Sequence, residues 1–332
     1  MKNTSFTIKL IVACIVFIVA FFFAMIYGAK DIAIRDVWLA FASSDTSENI
    51  SVIRDIRLPR ELAAIFIGAA LSVAGAIMQG MTRNPLADPG LLGLSAGAYA
   101  ALAVTIIFFP SANYFLTMIA CFIGAFIGAL FVFGIGSMKR GGFSPFHLVL
   151  AGAAVSTFLY AIGEGLGLYF NVAKDISMWT AGGTVGTNWK QLQIIVPFII
   201  VALVISFFVS RQLTILSLNE EMAIGLGQQI VRVKIVLLIL VIVLSGASVA
   251  LVGNMTFVGL MIPHIVRTFV GTDYRYILPM SAIVGATFML VADTLARTIH
   301  APYETPVAAI VAMFGLPFFL TIVRKGRGTS FS

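Results

Sequence analysis

From Ile235 to Pro263 the chain runs without one charged residue, and no other feature constrains its fold as strongly. Water cannot accommodate such a stretch, whereas a lipid bilayer can, and a single apolar span needs only about 20 residues. The run is too long for one crossing, and Gly253-Asn254 is the break within it. The same test along the whole chain finds ten candidate spans, roughly 8–28, 62–81, 91–110, 113–137, 148–169, 192–210, 235–253, 256–271, 277–297 and 305–323, the eighth of them short. Composition agrees. Hydrophobic residues make up 60% of the 332 and charged residues 11%, with a mean hydropathy of +1.04, whereas soluble domains carry about 25% charge. Backbone polar groups in lipid must be satisfied within the protein, which helices achieve. The expected fold is therefore all-α: a polytopic membrane protein of about ten transmembrane helices, with residues 1–332 forming one transmembrane domain.

Ten spans put both termini on one side. The other side then holds eight basic residues, namely Lys30, Arg35, Arg54, Arg57, Arg60, Lys174, Lys190 and Arg297, and the terminal side holds the other 13 of the 21. The positive-inside rule makes the terminal side cytoplasmic. The net charge of +7 reflects that bias and not nucleic-acid binding, because no basic run exceeds two residues. The uncharged run Leu10–Gly28 is longer than a signal-peptide core and reads as an uncleaved first span. Cys14 and Cys121 fall inside spans and give neither a disulfide framework nor metal-ligand spacing. Between the first two spans, Ile32–Phe41 has the pattern of a short amphipathic helix, with Trp38 suited to a membrane interface. Gly124-x-x-x-Gly128 gives the fourth span a flat face for close helix approach. Ser72–Thr82 loosely echoes Gly246–Thr256 in opposite orientation, as an inverted-topology repeat would.

The segment Gln79-Gly-Met-Thr-Arg-Asn-Pro-Leu-Ala-Asp-Pro-Gly-Leu-Leu-Gly-Leu-Ser-Ala-Gly97 joins two apolar runs and packs two prolines, several glycines, an Arg, an Asn and an Asp into a break. It resembles the signature of the iron-siderophore, haem and vitamin B12 permeases, the membrane subunits of type II ATP-binding cassette importers. Gln79, Arg83, Asn84, Pro85, Asp88, Pro89 and Gly90 carry the match. Arg57-Leu-Pro-Arg60 before it, Gly259-Leu-Met-Ile-Pro-His264 and Ala292-Asp293 after it, and Gly315-Leu-Pro-Phe-Phe319 near the end extend the resemblance over nearly the whole chain. The fold it implies is that of the vitamin B12 permease.

Four features are candidates for function. The loop 211–234 contains Ser217-Leu-Asn-Glu220, which fits a capping box, so a short helix should begin near Leu218 with Glu220 and Glu221 in its first turn. Gly225 and Gly227 should end it. In the resembled family this loop forms coupling helices that fit a groove on the ATPase, and Leu218, Asn219, Glu220, Glu221, Ala223, Gly225, Leu226 and Gly227 match that pattern. Arg57, Arg60 and Arg297 stand on the outer side as interfacial anchors or, as the resemblance implies, as docking residues for acidic residues of a substrate-binding protein. Gly142, Ser144 and Pro145 lie in a compact turn that in the family narrows the cytoplasmic end of the pathway, and an ordinary tight turn would use the same residues. Glu164 and Asp293 are carboxylates inside spans, which are functional hypotheses by default. Asp293 precedes Arg297 by four residues, so an i,i+4 pair would satisfy it. Glu164 either faces the pathway or is structural.

No Gly-x-x-x-x-Gly-Lys-Ser/Thr occurs, so a phosphate-binding loop of that kind is missing. Any ATP and Mg would sit on a separate subunit, and no cofactor or metal is expected on this chain. His147, His264 and His300 show no ligand spacing. The reading is a transport subunit without enzymatic activity of its own, importing a ferric siderophore through the bacterial cytoplasmic membrane by alternating access. Its implied partners are a second permease subunit (identical or paralogous), two ATPase subunits, an extracytoplasmic binding protein and membrane lipid. Import of haem or vitamin B12 by the same mechanism fits the same motifs. An ion-coupled secondary transporter would be expected to place carboxylates near mid-membrane, and here they lie near span ends.

Overall fold

The computed structural model describes residues 5–28, 32–43, 47–137, 145–181, 183–301 and 303–326, and among these every regular element is helical. In chain order the helices are α1 (Phe6–Ile26), α2 (Ile34–Ala42), α3 (Glu48–Val52), α4 (Leu58–Thr82), α5 (Leu94–Phe108), α6 (Tyr114–Ser137), α7 (Pro145–Tyr169), α8 (Ala173–Ala181), α9 (Trp189–Phe208), α10 (Ser210–Leu218), α11 (Glu220–Gly225), α12 (Ile230–Val252), α13 (Val258–Val270), α14 (Tyr274–Thr298) and α15 (Val307–Gly326). Each of the ten expected spans coincides with one helix. Seven helices are long and apolar enough to cross a membrane, while the apolar stretches in α5, α13 and α15 are shorter. At 1.5 Å per residue, α5 and α13 reach only about 20 Å, short of the roughly 30 Å hydrocarbon core. Non-α chain precedes each of them, at 83–93 (with a 3-10 turn at Pro89–Leu92) and at 253–257, and such backbone is tolerated near a bilayer where protein surrounds it. The eighth span is short for this reason, and Gly253 breaks the run with φ 77°.

α4 and α12 form the centre. Of their most apolar windows, 83% and 78% are buried, against 11% for α1. The two run antiparallel, since Arg83 at the end of α4 and Lys234 at the start of α12 both bond Glu220. The echo between Ser72–Thr82 and Gly246–Thr256 has a structural counterpart. Each segment closes a long buried helix, and irregular chain and then a short helix follow. α4 packs chiefly on α14, and α12 on α4, α6 and α9. Glycine permits the closest of these approaches. A Cβ on Gly68 would lie 2.2 Å from the carbonyl oxygen of Gly285, and one on Gly97 would lie 2.1 Å from that of Gly124. The flat face expected at Gly124-x-x-x-Gly128 is therefore used, against α5.

A smaller cluster of Met25, Ile32, Val37, Ala40, Ile50 and Ile53 sits apart from the main core. It seats α2 and α3 against the end of α1. α2 buries Val37 and Ala40 and exposes Ile34 and Trp38 on the opposite face. A π turn over Ile53–Arg57 then leads into α4, where Pro59 occupies the first turn that needs no amide donor.

Candidate functional site

The candidate coupling element is α11, and the sequence-based register needs a shift. Ser217 does not cap it. Its hydroxyl donates to the carbonyl of Thr214 at 2.7 Å inside the last turn of α10. Asn219 leaves the helical region (φ −160°, ψ 142°) and its side chain accepts the Glu221 amide at 3.0 Å, so α11 starts at Glu220. Glu220 and Glu221 occupy the first turn as expected. At the other end Gly225 is still helical and Leu226 is the cap. Gly227 takes the left-handed conformation (φ 76°) and donates to Ile224 O at 2.8 Å, while Gln228 donates to Ala223 O at 2.9 Å. This is a Schellman ending, and its left-handed glycine is Gly227 rather than Gly225. Ala223 is buried, whereas Leu218, Met222, Ile224 and Leu226 are each more than half exposed. A short, doubly capped helix thus projects Met222 and Ile224, flanked by Leu218 at the end of α10 and Leu226 at its own C-cap.

The signature loop meets that base. Arg83, left-handed at φ 54°, ends α4, with Asn84 donating to Gln79 O at 3.2 Å. Arg83 then reaches Glu220 at 3.2 Å, and Lys234 of α12 reaches the same carboxylate oxygen at 2.8 Å. Asn84 Oδ1 accepts Leu86 N and Asp88 Oδ1 accepts Gly90 N, so the loop fixes itself through two Asx-type turns, the second opening a 3-10 turn at Pro89. Pro85 sits exposed between them. Burial is the larger influence on Asp88 and pushes its carboxyl up to about 6, against the opposing Gly90 amide. Deeper in, Gln79 donates to the carbonyls of Gly259 and Leu260 at 3.3 and 3.2 Å and accepts from Arg267 at 2.6 Å. Arg267 also donates to the Tyr274 hydroxyl at 2.9 Å.

The three outer arginines are a correction. Arg57, Arg60 and Arg297 are 6%, 6% and 4% exposed, which leaves no surface for a partner's carboxylate. Arg57 donates to Met25 O and Ile26 O at 2.6 and 3.0 Å, capping the last turn of α1. Arg60 pairs with Asp293 at 3.0 Å and Glu304 at 2.7 Å. Arg297 pairs with Glu61 and, at 3.1 Å, with Asp293, and reaches Ala24 O at 3.3 Å. Thr184 donates to the same Asp293. The charges are drawn inward because α4 begins at Leu58, earlier than hydropathy suggests, so Arg60 and Glu61 lie within the helix packed on α14. The i,i+4 pair expected of Asp293 and Arg297 is present, and Asp293 serves structure.

Sequence reasoning missed Glu61, Glu304, Thr184, Lys234, Arg267 and Tyr274. Only Glu61 had a readable signal, an acid directly after the Arg57–Arg60 motif at the mouth of an apolar run. Of the gate candidates, Gly142 and Ser144 lie outside the described residues, and Pro145 is the first residue of α7. Glu164 is exposed on α7. A cavity of about 150 Å³ opens near mid-chain between Ser95, Tyr99, Tyr160, Trp179, Val249 and Asn254. Ser95 donates to Asn254 across it at 3.1 Å, tying the first turn of α5 to the break after α12.

Comparison with known proteins follows the same outline. The model of the FecCD transport family matches residues 16–325. The iron(3+)-hydroxamate import system permease protein FhuB of Bacillus subtilis is 44% identical over 307 residues, 92% of this chain and 80% of that protein. The ferric enterobactin transport system permease protein FepD of Escherichia coli is 36% identical, over 94% of this chain and 93% of its own length. The hemin transport system permease protein HmuU of Yersinia pestis is also 36% identical, over 90% of each. Among solved structures, a metal-chelate type ABC transporter in an inward-facing conformation superposes with a TM-score of 0.84 at 26% identity, covering 97% of this chain and all of that one.

Proposed function

The chain belongs to the FecCD transport family, and from that membership we propose that it is the permease subunit of an ATP-binding cassette importer that moves a ferric siderophore across the cytoplasmic membrane. The observation that carries the reading is the near full-length match to permeases named for ferric hydroxamate and ferric enterobactin. The basic bias toward the terminal side supports a cytoplasmic position for α11 and the signature loop. There the four exposed apolar residues in and beside α11, Leu218, Met222, Ile224 and Leu226, suit a groove on an ATPase subunit, which would supply ATP and Mg. Two permease copies, identical or paralogous, would frame a path wide enough for a chelate. A binding protein would deliver the chelate at the opposite end, meeting residues other than the three buried arginines.

Energy transfer in this scheme is mechanical. Closure of the ATPases displaces α11, and its base is fastened by Glu220 to both α4 and α12, the two central helices. Movement of α11 therefore reaches the core without an intervening flexible loop, as switching between discrete packed states requires.

Uptake of a radioiron-loaded hydroxamate chelate into vesicles holding this chain, its ATPase and its binding protein tests the reading. ATP-dependent accumulation is expected, with an excess of free haem leaving it unchanged. Accumulation of haem in place of the hydroxamate chelate would favour the function named for the hemin permease. No ATP-dependent uptake of any iron chelate would overturn the proposal.

A further inference from the structure

α13 contains a proline at its centre. Pro263 has no amide hydrogen, so the carbonyl of Gly259, four residues earlier, loses the helical donor it would otherwise have. Both residues are buried, and an unpaired buried carbonyl is costly. The side chain of Gln79, 2% exposed at the end of α4, donates to that carbonyl and to its neighbour at Leu260. Its amide oxygen simultaneously accepts from Arg267, one turn past the proline. These partners on both ends fix the orientation of the amide, with nitrogen toward the carbonyls and oxygen toward the guanidinium. Gly75, one turn earlier on α4, makes the approach possible. A Cβ there would lie 1.9 Å from the same Gly259 oxygen.

We propose that Gln79 is a positioning residue for transport: its side-chain amide stands in for the missing Pro263 N–H, splints α13 across the proline, and thereby fastens the segment of α13 next to the Asn254 break to the last turn of α4. Arg83, four residues on, holds Glu220 of the coupling element. A displacement of α11 is then delivered through one helical turn of α4 to the second half of the molecule, at the point where α13 is weakest. The inference rests on the importer reading for its functional meaning, while the splint itself is independent of it.

The test uses the assembled complex in vesicles, given ATP, its binding protein and radioiron-loaded desferrioxamine B as the hydroxamate probe. The readout is iron taken up per ATP hydrolysed. Gln79→Glu keeps an oxygen for Arg267 but removes the donor, and should lower that ratio roughly tenfold, the scale of one buried carbonyl left unsatisfied. Pro263→Ala restores a backbone amide to Gly259, so the double variant Gln79→Glu/Pro263→Ala should recover at least half of the loss. A Gln79→Glu complex that couples as well as the wild type overturns the proposal, as does a double variant that recovers nothing. If Gln79→Glu fails to assemble, the yield of assembled double variant is read instead, with recovery supporting the splint and no recovery overturning it. A wild-type complex that takes up iron neither from this chelate nor from any other defeats the importer reading alone. The splint is then judged by thermal unfolding of the two single variants and the double variant in detergent, where non-additivity supports it and strict additivity overturns it.

Discussion

The two ends of the helical bundle handle charge in opposite ways. At one end three guanidiniums, Arg57, Arg60 and Arg297, are sealed in with Glu61, Asp293 and the half-exposed Glu304, and the formal charges cancel. The side chains of Asp293 and Glu61 are fully buried. At the other end the Arg83–Glu220 pair is open, at 41% and 35% exposure, with the more buried Lys234 (11%) behind it on the same carboxylate. A buried cluster of this kind resists partial change, because losing one member strands another charge in low dielectric. An open pair can exchange partners with water or with another protein at little cost. The molecule is locked where its helices must keep register and left adjustable at the proposed coupling element.

The most damaging way to break this contrast is at Asp293, which serves Arg60, Arg297 and Thr184 at once. Asp293→Ala should destabilise the protein by about 3–5 kcal/mol, with little dependence on salt. Thermal unfolding in detergent at two ionic strengths checks both parts. A salt-sensitive loss below about 1 kcal/mol would mean that the cluster is wetter than its burial indicates.

At the open end the largest effect should come from backbone geometry and not from charge. Gly227→Val forces a β-branched residue into the left-handed region, at a cost of about 1–2 kcal/mol local to α11. Uptake and ATPase assembly should fall together. Gly225→Val carries no such cost: Gly225 is helical, valine is the better helix former of the two, and a Cβ there meets nothing within 4 Å, so its effect should be small or slightly stabilising. Equal effects at the two glycines would contradict the Schellman ending.

Glu220→Gln sharpens the comparison. Removing one open carboxylate should cost about 0.2–1 kcal/mol and should fade as salt rises, because charges this exposed are screened within about 8 Å at physiological ionic strength. Co-purification of the ATPase across a salt series is the measurement, and a salt-independent loss would place Glu220 with the sealed cluster in behaviour. The smallest expected effect is at Asp273, where the Arg275 hydrogen bond holds the carboxyl below its ordinary 3.8. A depressed folded-state value contributes stability above the unfolded value and loses it as pH falls through the folded one. Asp273→Asn should therefore match the wild type in acid, once the carboxyl is protonated in both states, and differ from it above about pH 4.

Hydropathy located all ten apolar helices because span length is a property of local sequence. It placed the break at Gly253-Asn254 because two residues poor in helix-forming tendency interrupt an otherwise uniform run. The Asp293–Arg297 pair was legible for a similar reason, as four residues along a helix bring side chains together whatever the fold. What distant residues do was not legible. The Arg60–Asp293 contact spans 233 positions, and only packing of α4 on α14 turned an outward-looking arginine inward. The register error at α11 arose because Ser217 and Asn219 are both competent caps. The choice fell to Asn219 because α10 runs on through Leu218. The sequence at 217–220 reads equally well either way until the preceding helix is known.

α1 is made before the other described helices, and its apolar window is 11% buried, the lowest share among the long apolar helices. Its last turn is fastened by Arg57 and by Arg297, the latter 273 residues downstream of the Ala24 carbonyl that it meets. At bacterial-scale synthesis of about 5–20 residues per second, roughly 15–55 seconds separate the two. For that interval α1 must wait in the lipid with its end unanchored to α14, and it is apolar enough to do so. The latch at Arg297 closes only after nearly all of the bundle has been made, so a chain stopped before α14 would hold the end of α1 through Arg57 alone.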